Sequence, residues 1–174
     1  MIAARPENES SRVANLREYQ ILDTDPDPAF DDLVKTASAV AEMPISLINL
    51  VDEHRAWFKA KRGIEIDGTS RDLSFCSHAI LADAPTIVED TTSDVRFSDH
   101  PLVIRAPNIR FYAGFPLVSK EGYVLGALCV IDRVPRKLTT KQIEVLQLLA
   151  KLAVSLIERN HFKCSLEQTK LKLG

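Results

Sequence analysis

The stretch IRFYAGFPLVSKEGYVLGALCVID, residues 109–132, decides the fold of this chain. It holds two mostly apolar runs, residues 109–119 and 123–131, joined by the three residues KEG. A short polar connection that ends in glycine is typical of a tight turn between antiparallel strands. We therefore predict a β-hairpin, and alternation along its first strand places Arg110, Tyr112 and Gly114 on one face and Ile109, Phe111, Ala113 and Phe115 on the other.

A second hairpin is predicted upstream of the first. The β-branched, apolar run Ile45–Val51 is typical of a buried strand, and residues 52–55 form a polar turn before a partner strand at 56–61. Thr86–Val88 is predicted as a further short strand. Residues 63–71, with two glycines and several charges, are predicted as a loop.

Helices are predicted on both sides of these strands. Apolar residues recur at helical spacing over 11–21 and 28–42, and residues 139–173 contain neither proline nor glycine. A short helix is predicted over 73–82, whereas the polar stretch 91–108 is predicted as an irregular loop. Hairpins flanked by terminal helices predict an α+β fold, with an antiparallel sheet and helices mainly on one face.

The length of 174 residues fits one domain with flanking segments. Residues 1–11 are polar and are expected to be a disordered lead-in. Residues 12–160 are expected to be the folded domain, and residues 161–174 a helical extension or linker at the C-terminal end.

The composition argues against several classes of partner. The net charge is −2, and the basic residues are scattered rather than gathered in the stripe that nucleic-acid binders carry. The N-terminal residues lack the pattern of a signal peptide, and no run of about 18 apolar residues occurs. Three widely spaced cysteines match neither a disulfide framework nor a zinc site. We therefore expect a cytoplasmic domain with no direct insertion into a membrane.

The long C-terminal helix predicts a dimer contact. Its apolar residues follow the three-and-four spacing of a coiled coil, which also fits a helix that packs on its own sheet. We expect this predicted seam to join two protomers and to pack on the sheet as well. It consists of Ile143, Leu146, Ala150, Ala153 and Ile157.

Seven segments follow one another in an order that resembles the GAF domains found at the N-terminal side of bacterial sensor kinases and cyclic-di-GMP cyclases. They are LREYQILDTDPDPAFDDLV, PISLINLVDEHRAWFKAKRG, SFCSHAI, IVEDTTSDVRFSDHPLV, IRFYAGFPLV, GYVLGALCVID and PRKLTTKQIEVLQLLA. The resemblance covers residues 12–160. It implies a central antiparallel sheet of five to six strands, with the first and last helices on one face and a loop-covered pocket on the other.

Domains of this family bind cyclic nucleotides, metabolites, tetrapyrroles or metal clusters, and some only dimerise. The resemblance implies a non-catalytic sensory module, of two-component signalling or a related system. It would bind a small ligand, dimerise, or do both, and so control a linked kinase or cyclic-di-GMP cyclase. The sequence assigns neither the ligand nor a cofactor.

The predicted pocket residues come from three segments. SFCSH supplies a thiol close to an imidazole, the loop 91–108 and the acidic pair before it supply charged and aromatic side chains, and the first strand of the 109–132 hairpin supplies a phenol. Each also has a structural interpretation, as a pocket-wall helix, an ordered loop or a core aromatic residue. The predicted set is Phe75, Cys76, His78, Asp90, Asp94, Arg96, Phe97 and Tyr112.

Two other functions remain open. A thiol enzyme that reduces free methionine sulfoxide would use Cys76, but it needs a second thiol within reach, and neither Cys129 nor Cys164 lies in the pocket loop. A bilin photosensor carries a cysteine directly followed by histidine, whereas Ser77 separates Cys76 from His78. The four histidines have no short metal-ligand spacing, so no metal site is predicted.

Overall fold

The computed structural model describes residues 2–173, apart from the side chains of residues 164, 167, 168 and 171–173. Met1 and Gly174, at the outer ends of the predicted lead-in and extension, lie outside the described residues. The elements in chain order are α1 (Glu9–Glu18), α2 (Pro28–Ala41), β1 (Ile45–Val51), β2 (Arg55–Arg62), β3 (Gly68–Ser70), a 3-10 helix (Arg71–Leu73), α3 (Cys76–Ala79), β4 (Thr86–Val88), α4 (Pro101–Ile104), β5 (Phe111–Val118), β6 (Val124–Asp132) and α5 (Thr140–Leu173).

The six strands form one antiparallel sheet in the order β3-β2-β1-β6-β5-β4. The two predicted hairpins are the pairs β1–β2 and β5–β6, and they meet side by side where Ile45–Leu50 of β1 pairs with Gly126–Ile131 of β6. The predicted α+β architecture is therefore confirmed.

Each face of the sheet has its own apolar core. On one face Ile48, Phe115 and Leu128 pack with residues of α1, α2 and α5, including Leu16 and Phe30. On the other face the buried residues come from the strands, α3 and the loops between α3 and β5. The first and last helices thus share one face, as the resemblance implied.

The strand alternation of β5 is confirmed except at its start. Phe111 and Ala113 pack on the helical face, while Tyr112 packs on the opposite face. Ile109 was expected beside Phe111, but it lies ahead of the strand and packs with Tyr112. The expectation for Ile109 is therefore wrong, because alternation holds only where the backbone is extended.

Four local predictions need correction. The lead-in is helical from Glu9 onward, because Glu9 pairs with two buried arginines. The loop 63–71 contains β3, which is only three residues long and too polar to show an apolar alternation. The loop 91–108 contains α4, a single turn that is too short for helical periodicity. The helix predicted over 73–82 reduces to a 3-10 turn and the four-residue α3.

The predicted dimer seam lies inside the protomer. Leu146, Ala150, Ala153 and Ile157 are buried in the core between α5 and the sheet, and Ile143 packs partly buried against the same core. Their side chains already contact the sheet of their own chain, so the prediction that they join two protomers is wrong. A three-and-four spacing arises equally from a helix that packs one face on a sheet.

α5 is the longest helix, with 34 residues. Nowhere in residues 2–173 does a helix combine the length and the apolar character needed to cross a lipid bilayer.

A buried ion cluster attaches α1 to the segment that precedes α3. Arg12 donates from Nε and Nη2 to the two carboxylate oxygens of Glu9, each at 2.9 Å, and Arg71 donates to the same carboxylate. Arg71 also donates to the backbone carbonyl of Asp52 at 3.0 Å. Burial alone would raise the pKa of Glu9, but the hydrogen bonds from Arg12 and Arg71 outweigh it and lower that pKa to about 2.

Replacing Glu9 tests this cluster. Glu9→Gln leaves two buried guanidinium groups without their counter-charge, so we expect the free energy of unfolding to fall by about 3 kcal/mol. The melting temperature should fall on the order of 10 °C. The control Glu7→Gln removes an exposed charge two residues away and should change stability by less than about 0.5 kcal/mol.

The same variant should alter the acid stability. The pKa of Glu9 in the folded chain lies below its ordinary value of 4.5, so its contribution is complete above that pH and is lost as the pH falls towards 2. Glu9→Gln should flatten this part of the curve of stability against pH. Parallel curves for the two proteins would contradict the assignment.

Candidate functional site

A cavity of about 130 Å³ lies on the face of the sheet away from α5. Ile45 and Leu47 of β1, Phe58 of β2 and Ile131 of β6 form its apolar floor. The 3-10 helix, α3 and the loop before β5 cover it, and the described residues that line it include no charged side chain. Such a cavity suits a small, mostly apolar molecule, since an engineered apolar cavity of about 150 Å³ holds benzene.

Asn49 is a polar residue that lines this cavity. Its side chain is 2% exposed, its Nδ2 donates to Ser74 Oγ at 3.2 Å, and its Oδ1 has no hydrogen-bond partner among the described residues. Thr69 Oγ1, at the cavity wall, is also buried and has no hydrogen-bond partner within the described part of the chain. A buried acceptor without a partner costs about 1–3 kcal/mol, so a ligand that donates a hydrogen bond would recover that cost.

A backbone irregularity lies at the same point. The pairing of β1 with β2 shifts by one residue between Ile48 and Asn49. Bulges of this kind re-aim side chains and are found next to functional sites. Here the shift lies just ahead of the one amide side chain of β1.

Two thiols form part of the cavity wall. Cys76 begins α3 and Cys129 lies on β6, and their Sγ atoms are 3.7 Å apart. The Tyr112 hydroxyl donates to Cys76 Sγ at 3.1 Å. The expectation that Cys76 has no second thiol within reach is therefore wrong, because sheet pairing brings Cys129 beneath α3 although it is far away in the sequence.

The two thiols differ in acidity. The hydrogen bond between them lowers the pKa of Cys76 the most, and bonds from Tyr112, Asn49 and Ser74 lower it further against the effect of burial. The same thiol–thiol bond and burial raise the pKa of Cys129 well above its ordinary value. Cys76 is thus the sulfur that more readily becomes a thiolate.

Gly114 gives Tyr112 the room to reach Cys76. A Cβ atom on Gly114 would overlap the Tyr112 hydroxyl and crowd the methyl group of Ala79. The phenol therefore lies along its own strand, over the glycine two residues further on. Burial raises the pKa of Tyr112 well above its ordinary value, so its hydroxyl keeps its proton and serves as a donor.

Of the eight residues predicted for the pocket, Phe75, Cys76 and Tyr112 line this cavity. Phe97 and His78 lie behind it. Phe97 is fully buried and stacks on Phe75 with ring centroids 4.6 Å apart, and His78 meets Phe97 edge-on at 4.7 Å. These two rings support the wall rather than line the cavity.

The charged residues predicted for the pocket organise the loop instead. Asp90 accepts hydrogen bonds from the backbone and hydroxyl of Thr92, and Asp94 accepts from the backbone of Arg96. Asp94 also forms a two-pronged ion pair with the Arg96 guanidinium, which stacks over Phe97 at 5.2 Å. Asp90, Asp94 and Arg96 do not line the cavity, because these local bonds hold them in the loop.

The family model described as GAF domain matches residues 25–157. The chain belongs to the GAF domain family. Over 153 residues this GAF domain is 42% identical to a protein of Pseudomonas aeruginosa named as a cyclic di-GMP phosphodiesterase. The match covers 87% of this chain and 26% of that relative, so the chain spans about a quarter of the relative's length.

Solved structures share the fold at low identity. The GAF domain of PixJ from Thermosynechococcus elongatus, in its blue-light absorbing form, gives a TM-score of 0.66 at 17% identity and covers 94% of this chain and 95% of its own. A type II free methionine-R-sulfoxide reductase from Thermoplasma acidophilum gives 0.62 at 13%, with 76% and 92% covered. At these identities the likeness concerns the fold alone.

The residues that sequence reasoning missed in this GAF domain lie on its central strands. Asn49 is the one amide in the apolar run ISLINLV, and it shares a face with Ile45 and Leu47 by alternation. A polar residue on a buried face is the signal that would have found it. Cys129 lies two residues before Ile131 on β6, so alternation places both on the cavity face. Its contact with Cys76, however, depends on the tertiary fold.

His100 links the cavity wall to α4. Its Nδ1 accepts from the Leu102 backbone N–H at 3.1 Å, and its ring lies 4.6 Å from that of Phe75. Burial lowers the pKa of His100 below its ordinary 6.5, so the unfolded chain takes up this proton first. Stability from this group is therefore complete above about pH 6.5 and falls as the pH drops below it.

We expect His100→Asn to remove that part of the pH dependence. Asparagine keeps a side-chain acceptor at the start of α4 and carries no titrating proton. Melting temperatures measured between about pH 7.5 and pH 5 should decline for the parent protein and less steeply for the variant. An identical slope in both proteins would show that His100 does not titrate on unfolding.

Proposed function

We propose that this GAF domain is a non-catalytic sensor that binds a small, mostly apolar molecule with one hydrogen-bond donor. The observation that carries the proposal is the cavity of about 130 Å³ in which the buried Asn49 Oδ1 lacks a partner among the described residues. The ligand would replace the missing hydrogen bond and fill the space beside Leu47.

The size of the cavity distinguishes the proposed small ligand from the larger ligands that other members of the family bind. Sites for drug-sized ligands measure about 300–1,000 Å³, so a bilin or a cyclic dinucleotide would need the covering loops to open. Free methionine sulfoxide carries an ammonium and a carboxylate group, and each needs a polar partner when buried. The uncharged lining therefore argues against that substrate, although the thiol pair would suit the chemistry.

A probe pair tests the ligand class. Phenol and benzene have nearly the same size, but only phenol donates a hydrogen bond. We expect both to stabilise the protein in a saturable way, by an amount proportional to ln(1 + [L]/Kd), and phenol to bind more tightly. Thermal unfolding across a concentration series of each probe measures this, and no saturable shift with either would contradict the proposal.

Two variants locate the binding. Asn49→Leu removes the acceptor, so it should abolish the preference for phenol while benzene still binds. Leu47→Phe fills the cavity and should weaken both probes. Asp94→Ala, which alters the charged loop away from the cavity, is the matched control and should leave both affinities unchanged.

We further propose that α5 passes the signal to a linked output domain through a homodimer. The buried face of α5 is occupied, but an exposed stripe repeats at three-and-four spacing along its opposite side. Leu148 and Leu152 are 57% and 53% exposed. The exposed α5 stripe consists of Leu148, Leu152, Ser155, Arg159, Phe162 and Leu166.

The identity of the output domain is inferred from the relative. That protein of Pseudomonas aeruginosa is named for the hydrolysis of cyclic di-GMP. Its name favours a phosphodiesterase output over the kinase or cyclase expected from the sequence.

The dimer is tested by the double variant Leu148→Glu and Leu152→Glu. Both side chains are exposed in the protomer, so the fold should persist while like charges separate the helices. Sedimentation should show a dimer for the parent protein and a monomer for the variant, with Gln147→Glu, an exposed position outside the stripe, as the control. A parent protein that stays monomeric at its highest soluble concentration would contradict the proposal.

A further inference from the structure

The thiol pair beside the cavity is an unusual feature of the buried core. Cys76 and Cys129 are 2% and 0% exposed, and no disulfide joins them. They come from different layers of the fold, a short helix and a central strand, and their sulfur atoms are 3.7 Å apart. A bond of about 2.04 Å would need an approach of less than about 2 Å.

The helix is the partner that can move. α3 has four residues, whereas β6 is paired along both edges by β1 and β5. A single helical turn is held by few backbone hydrogen bonds, so it adjusts more easily than a central strand.

Cys76 and Cys129 both line the cavity, so a molecule that enters it comes close to the two thiols. The lining is uncharged, which admits a small neutral oxidant and disfavours an ionic one. The neighbours assign different tasks to the two sulfurs: Tyr112 donates to Cys76 at 3.1 Å, while Cys129 packs between the paired strands.

We propose that Cys76 and Cys129 form a peroxide-responsive modification site, which closes to a reversible disulfide when hydrogen peroxide enters the cavity. This inference goes beyond ligand sensing and does not rest on it.

The proposed oxidation takes place in two steps. The Cys76 thiolate attacks one peroxide oxygen, the O–O bond breaks, and the departing hydroxide takes up the thiol proton as water, which leaves a sulfenic acid on Cys76. The Cys129 sulfur then attacks that of Cys76, the S–O bond breaks, and the departing hydroxide takes up the Cys129 proton as a second water. Two thiols are oxidised by two electrons in total, and one peroxide is reduced to two waters.

The bond would pull α3 towards β6 and reduce the cavity. It would also remove the sulfur acceptor of the Tyr112 hydroxyl in its present position. A peroxide signal would thereby act on the same wall that a ligand contacts.

Intact mass after peroxide exposure tests the site. The variant Cys164→Ser removes the third thiol and serves as the background protein. We expect a loss of about 2 Da, for two hydrogen atoms, restored by dithiothreitol, with the bond mapped to the peptides of Cys76 and Cys129. Retention of both thiols, under exposure that converts free cysteine to cystine in the same vessel, would overturn the proposal.

Two further variants separate the roles of the sulfurs. Cys129→Ser should stop at the sulfenic acid, a gain of about 16 Da that a sulfenic-acid trap captures on Cys76. Cys76→Ser should leave Cys129 reduced over the same time. Trapping on Cys129 instead would overturn the assignment.

Tyr112→Phe keeps the ring and removes the donor. We expect the oxidation of Cys76 to slow severalfold and its pH profile to move upward, which a purely structural role would not cause. An unchanged rate and profile would overturn the role given to the phenol. Phenol binding by the reduced protein is measured separately, so failure of the ligand proposal and failure of this one are distinguishable.

Discussion

The pairing of β1 with β6 is the contact on which the rest of the structure depends. Each strand belongs to a local hairpin, and this pairing alone joins the two hairpins into one sheet. Gly126 makes it possible, because a Cβ there would overlap the backbone carbonyl of Asn49. The same close approach holds Asn49 and Cys129 on neighbouring strands, and so places an amide and a thiol in the same wall of the cavity.

Alternate residues of a strand face opposite sides of the sheet, and the two sides have different roles. On β5, Phe111 and Ala113 fill the core beneath the helices, while Tyr112 faces the cavity. The helical side is filled by side chains of α1, α2 and α5, whereas the side covered by α3 and loops holds the cavity beside the thiols. The residues that pack against the helices and the residues that line the cavity therefore lie on opposite faces of the same strands.

The main elements of the fold and their order could be predicted from the sequence, but the site could be predicted only in part. The two hairpins, α2 and α5 follow from periodicity, because each spans enough residues to show it. β3 and α4 do not, since three or four residues carry no period. The charged loop residues Asp90, Asp94 and Arg96 have the chemistry of ligand contacts, but local hydrogen bonds within their own loop satisfy them. The contact of Cys76 with Cys129 depends on how strands align across the sheet, which sequence spacing does not express.

The small volume of the cavity limits how strongly any occupant can act. A molecule of about seven non-hydrogen atoms gains at most about 1.5 kcal/mol per atom, or about 10 kcal/mol in all. Reversing a two-state equilibrium from 1:99 to 99:1 takes about 5.5 kcal/mol of difference in affinity between the states. More than half of the greatest available binding energy would have to distinguish the two conformations. A site of this size is therefore suited to a graded bias from an abundant molecule rather than to an all-or-none response to a scarce one.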